Sequence, residues 1–114
     1  MNQDSTESSA GGARPFRNFE AIADFQPVVG PEPLRVSGEY HLNRRSGTAR
    51  LEVRDPPGSN PAELTIDLVI DGSGIGGDWV EVEGRYPARE GQYKTVNIFD
   101  RNGDHVIVEV QEVH

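Results

Sequence analysis

Apolar and polar residues alternate along most of this chain, and alternation with a period of two is the signature of strands with one buried face. ELTIDLVID, residues 63–71, is the clearest case: Leu64, Ile66, Leu68 and Ile70 face one way, while Thr65, Asp67 and Asp71 face the other. LRVSGEYHL sets Leu34, Val36, Gly38, Tyr40 and Leu42 on one side, and TARLEVR does the same with Ala49, Leu51 and Val53. The turn chemistry of Asn43 and Gly47 between these two segments predicts a hairpin from Leu34 to Arg54. DWVEVEGRY divides into Val80, Val82, Gly84 and Tyr86 against Trp79, Glu81, Glu83 and Arg85. YKTVNIF forms a further strand, RNGD is a tight-turn signal, and HVIVEVQEV closes the chain with Val106, Val108 and Val110 on one face. Only residues 15–26 fit two periods. Phe16, Phe19, Ile22 and Ala23 suit a helical stripe, whereas Phe19, Ala21, Ala23 and Phe25 suit a strand, and the β character of the remainder favours a strand over 19–26.

Seven short strands joined by Pro-, Gly- and Asn-rich turns predict an all-β domain, an antiparallel Ig-like β-sandwich or a small β-barrel, over residues 15–114. Twelve Val and six Ile supply most of the apolar content, and β-branched side chains suit a pleated surface. Residues 1–14 hold a single large apolar side chain, Met1, and read as a disordered acidic tail. VSGEY, with Val36, Gly38 and Tyr40, recurs as VEGRY, with Val82, Gly84 and Tyr86. Two matched hairpins packed face to face would explain this echo, as would chance in a Val-rich β chain. A glycine in the middle of a strand weakens it unless a bulge or a close contact requires one.

The chain contains 114 residues, and its net charge of −8 with no cysteine removes several classes of function. Disulfide frameworks, thiol nucleophiles and cysteine-ligated metals are excluded, and the acidity disfavours nucleic-acid backbones. Neither a signal peptide nor an apolar run of membrane-spanning length is present, which with the missing cysteines gives the expectation of a cytoplasmic protein. Charge is uneven: residues 14–62 carry seven Arg against six acids, and residues 63–114 carry four cations against eleven acids. This asymmetry predicts a dipole if the fold keeps the halves apart.

DGSGIGGD, residues 71–78, matches the GxGxxG spacing through Gly72, Gly74 and Gly77. A strand follows it where a dinucleotide site needs a helix N-terminus, so it reads as a hairpin loop. Asp100, Asn102 and Asp104 present oxygens at alternate positions as calcium loops do. Position 111 is Gln where an EF-hand needs Glu, so local capping of the turn is the simpler reading, with weak calcium binding as the alternative. His41, His105 and His114 are scattered, and no serine sits in a nucleophile elbow. These features predict a non-enzyme without a cofactor.

The leading expectation is a small binding or accessory domain that recognises another protein, or a second copy of itself, through end loops or a sheet edge. Its candidate contact residues are Arg44, Arg45, Ser73, Ile75 and Trp79, although Trp79 reads first as a core residue of a two-sided strand and otherwise as an exposed anchor. Two alternatives accompany it. One is a barrel holding a small apolar ligand, with Tyr40 and Tyr86 as polar handles; the other is a calcium-assisted carbohydrate or adhesion module using Asp100, Asn102 and Asp104. Finally, Gly58, Asn60, Pro61, Leu64 and Leu68 in PPGSNPAELTIDL, followed by YKTVNI, resemble a pattern in small bacterial all-β proteins of uncharacterised function. The resemblance covers residues 34–113, and it implies a bacterial source and an antiparallel β fold but no active site.

Overall fold

Strands with one apolar face must bury it, and here seven of them do so by curling one sheet around a shared interior. The computed structural model describes residues 15–26, 30–42, 47–55, 58–72 and 78–114. The strands are β1 (Phe16–Asp24), β2 (Leu34–His41), β3 (Thr48–Val53), β4 (Glu63–Asp71), β5 (Trp79–Tyr86), β6 (Thr95–Phe99) and β7 (His105–Val113). Their spatial order is β3-β4-β6-β7-β1-β2-β5, and the two outer strands β3 and β5 come back into contact to give a nearly closed, barrel-like sheet. The tail, residues 1–14, lies outside the described residues.

Alternation places the core as expected. Leu34, Val36, Tyr40, Leu42, Ile66, Ile98 and Val96 are buried to within 2% of complete enclosure, and Leu64, Leu68, Val82, Ala21 and Ala23 join them. The ambiguous segment is strand, not helix: β1 begins at Phe16, three residues earlier than the pattern suggested, and ends at Asp24, two residues earlier.

Pairing departs from the sequence reading in three ways. First, Leu34 to Arg54 is not a hairpin: β2 pairs with β1 and β5, and β3 pairs with β4. Second, β4 and β5 flank DGSGIGGD without pairing to each other, so that segment is a crossover and not a hairpin loop. Third, β4 runs parallel to β6 and β1 runs parallel to β7, so the sheet is mixed. Short-range turn signals report where the chain reverses; they do not report which neighbour each strand finds after reversing. The turn at RNGD does join neighbours, β6 and β7.

The echo between VSGEY and VEGRY is a cross-strand relation. β2 and β5 are antiparallel neighbours in which Val36 faces Gly84 and Gly38 faces Val82, so the two segments lie side by side and not face to face. The Phe19 ring occupies the space a Cβ at Gly38 would need, and the Tyr86 hydroxyl occupies that space at Gly84.

Tyr86 reaches over Gly84 from β5 and donates a hydrogen bond to the Leu51 carbonyl of β3, 3.2 Å, bridging the two edges of the sheet. Burial, with a smaller contribution from the Glu52 carboxylate, pushes its phenol pKa up to about 12. A raised acid pKa means the folded state holds the proton more tightly than the unfolded chain, whose tyrosines titrate near about 10. The associated stability is complete below pH ~10 and is lost as pH rises towards about 12. We expect wild type to exceed Tyr86→Phe by about 1 kcal/mol at pH ~8, and that margin to vanish near pH ~11 and reverse by pH ~11.5. Urea titrations of both proteins at these pH values measure it, and a margin independent of pH refutes it.

Candidate functional site

Strand direction assembles the candidate residues. The start of β1 and the β2–β3, β4–β5 and β6–β7 connections all emerge at one end of the barrel. Arg44 and Arg45 belong to the first connection, Ser73 and Ile75 to the second, and Asp100, Asn102 and Asp104 to the third. Arg44, Arg45, Ser73 and Ile75 lie outside the described residues, as do Gly74 and Gly77, but the flanks of their connections touch. The Leu42 amide donates to the Asp78 carbonyl, 2.8 Å, and Thr48 pairs with Asp71.

Trp79 opens β5 at this end. It lies opposite His41 on β2, half-buried on the outer face of the sheet and outside the core. The His41 ring meets it edge-on at 4.8 Å, and the Arg17 guanidinium lies 3.8 Å from its ring centre. Such a cation–π contact contributes about 0.5–1 kcal/mol at an exposed site. Arg17 is itself aimed by Glu39, whose Oε1 accepts from Arg17 Nε at 2.8 Å and from Asn18 Nδ2 at 3.0 Å. These two donors, the arginine foremost, hold the Glu39 carboxyl below its usual range.

Asn18 sits in a β-bulge where β1 spends two residues opposite one of β2, between the pairs Arg17↔Glu39 and Glu20↔Ser37. It adopts φ = 57°, a left-handed conformation that Asn tolerates better than most residues. The bulge turns the Asn18 amide towards Glu39 on the outside and sends the Phe19 ring inward over Gly38. Arg17 and Asn18 escaped the sequence reading because a bulge breaks the alternation that would have placed them. Pairing of Glu39 and His41 on one outward face was legible from alternation alone.

The Asp100 turn is built from within. Asp100 is buried; its Oδ1 accepts from the amides of Asn102 (2.9 Å) and Asp104 (3.0 Å), and its Oδ2 accepts from the Tyr40 hydroxyl at 2.8 Å. Both oxygens therefore serve protein donors, with Gly103 at φ = 89° closing the turn. Among the described residues no cluster of three or more His, Asp or Glu side chains could hold a metal ion.

Tyr40 and Tyr86 point inward, but their hydroxyls are engaged by Asp100 and Leu51, and large aliphatic side chains fill the space between them. That filling weighs against a ligand lumen. Concavities lie over the outer face of β1, β2 and β5, in the seam between β1 and β7, beside the ends of β4 and β6, and at the opposite end of the barrel next to Leu64 and Tyr86.

The fold mixes the two charged halves in part, setting β3 beside β4 and β2 beside β5. Arg54 binds Asp67 through both Nε and Nη2, Arg35 approaches Glu20 and Glu83, and Arg50 binds Glu52, so cations of the first half sit beside acids of the second as well as their own. Of Arg44, Arg45, Arg50 and Arg54, which follow one another from the β2–β3 connection to the end of β3, the two described members, Arg50 and Arg54, are thus already paired.

Fold and site together define an all-β domain with a barrel-like sheet and an aromatic–arginine cluster at one end. No family model, curated protein or solved structure matches the chain. Among the described residues no helix is long and apolar enough to cross a membrane.

Proposed function

We propose that this protein is a small non-enzymatic binding domain that recognises another protein through its loop end, with Trp79 as the anchor. The observation that supports this reading is the placement of Trp79. A large aromatic lies outside the core, at the rim where three connections converge, and its orientation is fixed by Arg17 and His41. A preorganised aromatic beside an arginine has the composition of an interface hot spot, because little side-chain entropy remains to be lost on binding.

Affinity capture from the native source, quantified by mass spectrometry, tests the reading when wild type and Trp79→Ala are run side by side. Removing the ring takes nothing from the core, so the variant stays folded, with a loss of about 1 kcal/mol at most for the severed cation–π contact. A partner enriched by wild type and depleted about tenfold or more with Trp79→Ala supports the proposal. Identical captured sets from both proteins refute it.

A further inference from the structure

The β1–β7 ladder is incomplete in a way that leaves backbone free. It runs only from Ala21↔Val110 to Asp24↔Val113. Upstream, Phe16, Arg17 and Glu20 of β1 pair with β2 alone, with Asn18 and Phe19 in the bulge between them, and β7 residues His105–Glu109 pair with β6 alone. The Val110 amide donates to Lys94 on the β6 side and the Phe25 amide donates to Val113 across the ladder, so strand parity turns the backbone of His105 and Ile107 towards β1, where no residue is in register. The bulge at Asn18–Phe19 deflects β1 at the point where the ladder stops. Between the two strands lies a groove of about 510 Å³ lined by Phe16, Phe19, Val106, Ile107, Val108 and Glu109, among others. Ile107 is 55% exposed there.

We infer that this seam receives an extended peptide that adds to the free edge of β7, with apolar residues on one side and lysine or arginine on the other. The inference is independent of Trp79. An added strand would send alternate side chains inward, towards Phe19, Val106 and Val108, and outward between Glu20 and Glu109. Both glutamates are exposed, and among the described residues Glu109 has no cationic partner. Arg17, the arginine that lines the seam, is already committed to Glu39 and Trp79, so the outer rim is net acidic. The charge of −8 on the whole chain steers cationic segments towards it. Main-chain hydrogen bonds from His105 and Ile107 supply the attachment, and the two faces of the groove select the alternation.

Titration of the full chain with an acetylated, amidated hexapeptide of sequence Lys-Val-Lys-Ile-Lys-Val, followed by amide NMR, tests it. Expected are shifts concentrated on Phe16, Phe19, His105, Ile107 and Glu109, with slowed hydrogen exchange at Ile107. Glu109→Lys should weaken binding about tenfold, whereas Glu81→Lys, an exposed charge reversal on distant β5, should change it less than about twofold. The same peptide N-methylated at alternate residues should lose binding, a readout that does not depend on any variant folding. No binding at about 1 mM peptide overturns the inference. Equal weakening by Glu81→Lys, or undiminished binding of the N-methylated peptide, overturns it too, by showing charge attraction without strand addition.

Discussion

Asp100→Ala should lower the unfolding free energy by about 3–4 kcal/mol, a larger loss than any other single side chain of the candidate loops. Its carboxylate is the acceptor for three donors at once: two backbone amides of the β6–β7 turn and the hydroxyl of Tyr40 on β2. Hydrogen bonds to a charged group contribute about 1.5–3 kcal/mol each, but the turn amides lie near water and recover part of their loss, which is why the sum is discounted. The Tyr40 hydroxyl loses the most, since it gives up a bond to a charged acceptor in a residue that is 2% exposed. Thermal melts should show a fall on the order of 10–20 °C. Asp100→Asn keeps one carbonyl acceptor for the amides and should lose only about 1–2 kcal/mol, and Tyr40→Phe a similar amount with the turn left intact. In a double-mutant cycle Asp100→Ala and Tyr40→Phe should be non-additive, because each removes the same bond. If Asp100→Ala melts no earlier than Asn102→Ala, whose side chain makes none of these contacts, the turn is not held as described.

Asp100 also marks where reading a sequence stops. Its spacing with Asn102 and Asp104 suggested oxygens that either cap a turn or meet a cation, and both readings use the same residues. What separates them is Tyr40, sixty positions away in the chain, whose buried hydroxyl reaches Oδ2 from β2. The same limit appears in the pairing. Alternation placed β4 and β7 with the bounds they have in the fold, because each strand carries its own record of which face is buried. Which strand lies beside which is a property of the whole sheet, and neither parallel pair, β1 with β7 or β4 with β6, leaves a local mark. Trp79 was placed on the polar face by alternation, whereas Arg17 reached it through a bulge that alternation cannot register. Charge followed the same rule: the uneven distribution along the chain was plain, but the strand order mixes its halves in part.

The bulge leads to the second large effect, because it explains a glycine that strand propensity disfavours. Gly38→Ala should destabilise the domain by about 2–3 kcal/mol, although alanine is ordinarily the better strand residue. A Cβ at position 38 would overlap the Phe19 ring close to its attachment, where a rotamer change gives little relief. Phe19 is fixed from below by its place in the bulge and from the side by Phe16, 5.7 Å away edge-on, which in turn meets Tyr40 at 5.2 Å. Moving the ring therefore disturbs an aromatic chain that ends on the residue holding Asp100. Phe19→Ala alone should cost about 2–3 kcal/mol through lost burial. Combined with Gly38→Ala it should cost distinctly less than the sum, by about 1 kcal/mol or more, since the new methyl then fills part of the space the ring vacates. Gly84 on β5 gives the matching control, for there the obstruction is the end of the Tyr86 ring together with its hydroxyl. Gly84→Ala should be relieved by Tyr86→Ala, which removes ring and hydroxyl together, and left unchanged by Phe19→Ala. Denaturant unfolding of the eight proteins decides the matter: strict additivity of Gly38→Ala with Phe19→Ala would mean that the glycine is present for some reason other than the ring above it.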